Sequence, residues 1–296
     1  MSVSRTILVT GATGKQGGVT ARRLLNLGWP VRALVREETA PAAAALAAAG
    51  AQIVRGDFDD PASLATALDG AAAVFAIPPT TFERDLEVAR GRALIDAAAA
   101  AGVEQVVFST VASSSTRRQS AEGKALIERY LHDRIEFATV LRPVRFMTNY
   151  IGTGAHGVDG ISQGVHRHLF APHEPMQVIA LEDVADFAAL AFGDPARFAG
   201  RTLELAGDEP TPTEAAAAIS EATGVLVRYE QLTDDEAAAL GPMFTETLQR
   251  WRTGGSWHAD IEALRVIHPG LRTFADWLAE SGGAAIRARL TSTSPV

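Results

Sequence analysis

No cysteine occurs in the 296 residues. That excludes disulfides, thiolate metal sites and cysteine-based redox switching. No apolar run approaches the length needed to span a bilayer, and the first residues lack the apolar core of a secretory signal. A cytoplasmic location, away from membranes, is therefore expected. Basic charge is in deficit: 27 Lys and Arg stand against 35 Asp and Glu, for a formal net charge of −8. This balance disfavours direct binding to nucleic acid, which requires a basic face. Anionic small ligands are not excluded, because a few arginines can still build a local positive pocket. With 47% hydrophobic and 21% charged residues, the chain has the profile of a globular protein with room for one large or two modest domains. The alanine-rich runs, Pro41 to Ala49 and Ala97 to Ala101, read as compositional bias within helices.

The informative stretch is Thr6-Ile7-Leu8-Val9-Thr10-Gly11-Ala12-Thr13-Gly14-Lys15-Gln16-Gly17-Gly18. An apolar β-type run enters a glycine-rich turn, and Val19 to Leu27 then reads as a helix closed by Gly28. Strand, tight turn and helix form the entry of a dinucleotide-binding unit. Gly11 lets the chain reverse, Gly14 clears a path for a pyrophosphate, and Gly17 lets the helix pack on the strand. The helix N-terminus presents free N–H groups and a partial positive charge to phosphates.

The second strand, Pro30 to Arg36, ends where the adenosine ribose is read. An acid there accepts from a free 2′-hydroxyl, whereas an arginine accommodates a 2′-phosphate. Arg36 lies 19 residues past Gly17, so NADP(H) is expected over NAD(H). Glu37 and Glu38 weaken the local positive field without changing that order of preference. The third strand, Ala51 to Arg55, runs into Gly56-Asp57-Phe58-Asp59-Asp60, which places Asp57 and Phe58 for the adenine ring. Asp60 before Pro61 is a helix start. Ala71 to Ile77 is a fourth, wholly apolar strand, broken by Pro78-Pro79-Thr80-Thr81 where the cofactor's ribose and phosphates would lie. A helix from Phe82 to Ala101 leads to a fifth strand, Val103 to Ser109. This strand runs into the hydroxyl-rich loop Thr110-Val111-Ala112-Ser113-Ser114-Ser115 at the nicotinamide end. Ser120 to His132 is helical and Ile135 to Leu141 is a sixth strand. The alternation predicts a doubly wound parallel α/β sheet of Rossmann type.

After Arg142-Pro143 the rhythm changes, and residues 143 to 175 read as loop-rich. Met176 to Ala180 and Arg201 to Ala206 read as strands around a helix from Glu182 to about Phe192. Thr211-Pro212-Thr213-Glu214 and Thr233-Asp234-Asp235-Glu236 are capping boxes, and Thr273 to Glu280 is the last helix before a frayed Ser/Thr/Pro end. Residues 1–150 are expected to form the dinucleotide-binding domain, with part of 176–206 returning to it. Residues 151–296 would form a smaller α/β lobe for substrate or partner. His156, His166, His168 and His173 read as polar lining of a cleft, and no metal is expected. Trp251 and Trp257, flanking Gly254-Gly255, read as packing within the lobe, with a substrate wall as the alternative.

A typical short-chain dehydrogenase places Tyr-x-x-x-Lys on the helix after the fifth strand, where the lysine lowers the tyrosine pKa and orients the ribose. Here that turn reads Ser120-Ala121-Glu122-Gly123-Lys124. The lysine is present, but a serine hydroxyl is too weak an acid to replace a phenol. Tyr130 follows six residues after the lysine, on another face. Lys124 is expected to contact the ribose or nicotinamide, with an i,i+4 contact to Glu128 as the alternative use of its charge.

The glycine loop Thr10 to Gly17, Arg36, Gly56 to Asp60, Lys124 followed by Glu128, and Leu141-Arg142-Pro143 with Phe146 and Asn149 resemble the NmrA-like family, atypical short-chain dehydrogenase/reductases. Leu271 to Leu278 also resembles that family's end. The resemblance implies a Rossmann-type domain that binds NADP(H), a small carboxyl-terminal lobe and, often, no catalytic tyrosine. Some members sense NADP(H) and regulate through protein partners, whereas others transfer hydride. The expected cofactor contacts are Gly11, Thr13, Gly14, Lys15, Gln16, Gly17, Arg36, Asp57, Phe58, Ile77, Pro78, Ser109, Thr110, Lys124, Pro143 and Phe146. The missing tyrosine favours a redox-state sensor acting through a protein partner. The alternative is an NADPH-dependent reductase of quinones or activated alkenes, with Lys124 or water as proton source.

Overall fold

The computed structural model describes residues 5–79, 81, 83–112, 118–154 and 156–292. Strand and helix alternate from the start: β1 (Ile7–Val9), α1 (Lys15–Asn26), β2 (Val31–Val35), α2 (Pro41–Ala48), β3 (Gln52–Arg55), α3 (Pro61–Leu68), β4 (Ala73–Ala76), α4 (Arg84–Ala100), β5 (Gln105–Ser109), α5 (Arg118–His132) and β6 (Phe137–Pro143). All residues of β4 and β5 are buried. Strands covered on both faces carry near-continuous apolar runs in place of alternation, as in Ala73 to Ala76 and Val106 to Phe108. The start of α3 is fixed locally: the Asp60 carboxylate accepts from the N–H groups of Ala62 and Ser63, and Pro61 holds the first helical position.

The chain continues with β7 (Arg145–Phe146), a 3₁₀ turn (Met147–Ile151), β8 (Gly160–Ser162), β9 (Val165–His168), β10 (Val178–Ile179), α6 (Leu181–Gly193), α7 (Pro195–Phe198) and β11 (Thr202–Leu205). Then come α8 (Pro212–Thr223), β12 (Arg228–Gln231), α9 (Asp234–Leu240), α10 (Pro242–Arg252), α11 (Ile261–Ile267), α12 (Phe274–Trp277), a π turn (Leu278–Gly282) and α13 (Gly283–Ser292).

Seven strands make one sheet in the order β11-β6-β5-β4-β1-β2-β3. β1 pairs in parallel with both β2 and β4, so the strand order reverses there. This is a doubly wound Rossmann-type sheet, and such a reversal opens a crevice outside the carboxyl ends of the strands. Leu8, Val74, Val106 and Val140 of the sheet pack with Leu64, Leu94 and Ile127 of the helices in one apolar core. The chain divides into two compact units. One draws on residues up to Val111, Arg118–Arg142 and Val184–Leu203; the other draws on Pro143–Asp183 and Glu204 onward.

In the second unit, β9 pairs antiparallel with β8 and parallel with β12, and β7 pairs with β10. Residues 143–175 therefore carry more structure than the expected loops. The reason lies in β9, where the buried alternate positions are His166 and His168 rather than aliphatic residues, so the apolar period is hidden. Both expected capping boxes form, at Thr211/Glu214 and Thr233/Glu236. A third forms at Thr273/Asp276. The last helical stretch runs past Glu280 because Gly282 and Gly283 make close approaches rather than a stop. A Cβ on Gly282 would come within 2.5 Å of the Trp277 ring.

Candidate functional site

The turn between β1 and α1 is built around two glycines. Gly11 holds φ +58°, a left-handed conformation that favours glycine. A Cβ on Gly17 would lie 2.2 Å from the Gly11 carbonyl oxygen, so only glycine lets α1 start this close to the turn. α1 begins at Lys15, earlier than expected, with Gly14 as N-cap, no side-chain cap and no acid in its first turn. The terminal N–H groups and the positive end of the helix dipole are thus left for an anion. Thr10 ties the ends of β1 and β4 together: its hydroxyl donates to the Ile77 carbonyl at 2.9 Å and accepts from the Ile77 N–H at 2.7 Å.

Over this turn lies a cleft of about 530 Å³, lined by Gly11, Thr13, Gly14, Lys15, Gln16 and Gly17, by Leu34, Val35 and Arg36 at the end of β2, by Gly56 to Asp59 after β3, by Ile77 to Pro79 after β4, and by Arg90 of α4. It therefore gathers the glycine loop, Arg36, Asp57, Phe58, Ile77 and Pro78. Arg36 is exposed and makes no ion pair among the described residues. Arg90 is held by Asp59, donating from Nε at 2.8 Å and also from Nη2. That hydrogen bonding, outweighing partial desolvation, keeps the Asp59 carboxyl below its ordinary range. Asp57 is fixed from both sides: its N–H donates to Ser63 Oγ and its Oδ1 accepts from the Asp59 N–H. Phe58 is 9% exposed, with its ring in the core.

Arg90, Leu34 and Val35 were not singled out in the sequence, and Gly56, Asp59 and Pro79 were read only as parts of their turns. Arg90 lies mid-helix with no local motif, and Asp59 could be read only as part of an acidic turn.

The other expected contacts lie outside the cleft lining. Ser109 is buried and accepts from Gln16 Nε2, which ties β5 to the glycine loop. The Thr110 hydroxyl donates to Glu128 Oε1 at 2.9 Å. Lys124 forms an ion pair with Glu87 of α4, a carboxylate 2% exposed. The expected alternative partner, Glu128, is engaged by Arg142 as well as Thr110. Pro143 and Phe146 belong to the second unit. Thr80, Ser113 to Ser115 and the Ser120 side chain lie outside the described residues.

The second unit holds a compact polar cluster. Arg145 is buried and donates from Nε to Asp159 Oδ1, while Asn149 Nδ2 donates to Asp159 Oδ2 at 2.9 Å. His166 is fully buried between Tyr150 and Tyr229, with ring centroids 4.9 and 5.4 Å away. Burial first, and then the Arg145 charge, push its pKa well below the usual imidazole value, so it is neutral near pH 7. His168 lies 3.4 Å from Asp159 through Nε2. His156 and His173 are exposed. Trp251 is buried and stacks on Phe170 at 3.7 Å between centroids, with Trp257 edge-on to it. These tryptophans pack the second unit's own core. Among the described residues, no helix is long and apolar enough to cross a membrane.

The sequence profile of the NmrA-like family matches residues 3–247. The chain belongs to the NmrA-like family. Among its relatives within and around that family is a (4-alkanoyl-5-oxo-2,5-dihydrofuran-3-yl)methyl phosphate reductase from Streptomyces griseus, 32% identical over 94% of this chain and 98% of that protein. Quinone oxidoreductase 2 of Escherichia coli is 31% identical over 79% of this chain and 80% of its own. Among solved structures, an NADPH-dependent quinone oxidoreductase from Escherichia coli, complexed with NADPH, superposes with a TM-score of 0.74 at 27% identity, covering 92% of this chain and 98% of that one. NmrA, a negative transcriptional regulator solved with NADP, gives a TM-score of 0.74 at 21% identity over 96% and 97% of the two chains. At that identity the likeness to NmrA speaks for the fold alone.

Proposed function

We propose that this NmrA-like protein binds NADP(H) in the cleft over the glycine loop and acts as an NADPH-dependent reductase of a small electrophilic acceptor. The observation that carries the cofactor assignment is the uncapped N-terminus of α1 behind a turn that only glycine can make, with an uncompensated Arg36 at the end of the next strand. The α1 N–H groups and Lys15 would hold the pyrophosphate, and Arg36 the 2′-phosphate. Asp57 and Phe58 would border the adenine. When bound, the cofactor supplies a hydride. The chain's own part is then to orient the dinucleotide, and Gln16, tied to Ser109, stiffens the loop that does so.

The reductase reading draws support from the relatives at 31–32% identity, which are named as reductases or oxidoreductases. The sensor role expected from the sequence is the second reading, because Ser120 stands where a phenol is usual. Loss of NADPH absorbance against a panel of quinones, enals and butenolides separates the two. Turnover on the order of 1–10 s⁻¹ on any member supports the reductase. Tight NADPH binding without turnover anywhere on the panel supports the sensor.

The cofactor preference has its own test. Arg36→Ala is expected to weaken NADPH by roughly 10- to 150-fold, the loss of one charge-assisted phosphate contact of about 1.5–3 kcal/mol. NADH affinity should stay near the wild-type value. A wild type that prefers NADH, or a variant that retains the NADPH preference, would show that Arg36 does not read the 2′-phosphate.

A further inference from the structure

Where β3 ends, the cleft is walled by the turn Asp57-Phe58-Asp59 and by Arg90 of α4. Asp59 engages two nitrogens of the Arg90 guanidinium, Nε and Nη2. A two-point contact of this kind fixes the plane of the group as well as its position. Nη1 makes no hydrogen bond among the described residues. The side chains of Arg90 and Asp59 are 22% and 54% exposed, and ion pairs so open to solvent contribute little to stability. The pair thus holds a flat cation against the cleft with little structural return. Phe58, the one aromatic residue in the described lining, is only 9% exposed and belongs to the same apolar core as Leu34 and Leu64, so it offers a ligand little of its ring. Arg36, which can also stack on a base, is assigned above to the 2′-phosphate, so what the cleft then offers a planar base at this end is the Arg90 guanidinium.

We infer that Arg90, with its plane set by Asp59, is the platform on which the adenine ring of the dinucleotide lies. This rests on the cofactor reading above and adds a division of labour to it. Arg36 recognises the 2′-phosphate, present only in NADP(H), whereas Arg90 recognises the base, which both dinucleotides carry. Arginine stacks on π-faces through its delocalised plane, and lysine has no such plane.

Titration calorimetry of the intact protein with NADPH and with NADH tests the assignment. Arg90→Ala should weaken both ligands by the same factor, about 3- to 30-fold, as expected for loss of a cation–π contact. Arg90→Lys should recover little of that, although it keeps the charge. Asp59→Asn, which keeps the shape but loosens the guanidinium, should weaken both ligands to a smaller and again equal extent. Both side chains are exposed enough that the variants will fold, which circular dichroism verifies. A loss confined to NADPH and rescued by Arg90→Lys would make Arg90 a phosphate contact and overturn the platform. Unchanged affinity of Arg90→Ala for both ligands overturns it as well, while leaving the cofactor reading intact. A wild type that binds neither dinucleotide removes the cofactor reading and this inference together.

Discussion

Asp159→Ala is expected to destabilise the second unit by about 3 kcal/mol, the low end of the cost of removing one partner from a buried ion pair, because the Asp159 side chain is itself 34% exposed. The cost falls on the partner left behind. The Arg145 side chain is 3% exposed, and its Nη1 and Nη2 already lack hydrogen-bond partners. A guanidinium cannot shed its proton to escape burial. Without the carboxylate, what remains beside the charge among the described residues is the Tyr150 ring, whose centroid is 4.0 Å from the guanidinium carbon. Asp159 also sits at φ +69°, a conformation that Asp and Asn tolerate better than Ala. Asp159→Asn is therefore the comparator that removes charge while sparing the backbone.

The pH dependence has a definite sign. Burial raises the Asp159 pKa, but the Arg145 charge and the hydrogen bond from His168 outweigh it and hold the carboxyl well below the usual range. A depressed carboxyl stabilises fully above its unfolded value, about 3.9, and loses that contribution as pH falls through the lower folded value. Between pH 5 and 8, on the scale of ordinary carboxyl titration, the pair should add no slope to stability. Urea unfolding of wild type, Asp159→Ala, Asp159→Asn and the double variant Arg145→Met/Asp159→Asn measures these costs. The double variant should be more stable than Asp159→Ala. Equal stabilities would mean that a stranded charge is not the source of the loss.

That cluster marks where the sequence stopped being legible. The first unit announces itself because its signals are local. The glycine loop, the strand-end arginine and the Asp60-Pro61 cap each act within a few residues, and the central strands carry near-continuous apolar runs. The second unit hides its strands. β9 buries histidines, and β12, Arg228-Tyr229-Glu230-Gln231, is exposed or half-buried along its whole length, so neither shows an apolar period of two. The site follows the same rule. Arg36 was readable from its distance to Gly17, but the Arg90–Asp59 contact spans 31 residues and the Lys124–Glu87 contact 37. Those partners are chosen by what packs against α4, the turn after β3 for Arg90 and α5 for Glu87, and nothing in the local sequence reports that choice.

Lys124 shows what such a hidden partner changes. On the sequence pattern alone, Lys124→Ala should leave the apo protein's stability untouched, because a surface i,i+4 pair with Glu128 contributes a few tenths of a kcal/mol at most. With Glu87 as the partner, the expected loss is about 3 kcal/mol. Glu87 is 2% exposed, and its Oε2 has no hydrogen bond among the described residues, so the Lys124 ammonium on Oε1 is its main stabilisation there. α4 and α5 leave little slack around it: a Cβ on Gly123 would lie 3.1 Å from Glu87 Oε2, and one on Gly91 would lie 2.6 Å from Ile127. The cost should fall at the lower end of the buried-pair range because the Lys124 side chain is itself 14% exposed. Lysine carries three N–H donors, so the contact to Glu87 is compatible with the contact to the nicotinamide ribose expected from the sequence. The double variant Glu87→Gln/Lys124→Met separates these roles, since it removes both charges and should regain most of the lost stability. If NADPH affinity is still at least about tenfold below wild type in that restored protein, a loss of about 1.4 kcal/mol, the ammonium also serves the cofactor. Wild-type affinity in the double variant would assign Lys124 to Glu87 alone. Full stability in Lys124→Ala itself would mean that the ion pair with Glu87 contributes nothing measurable to the fold.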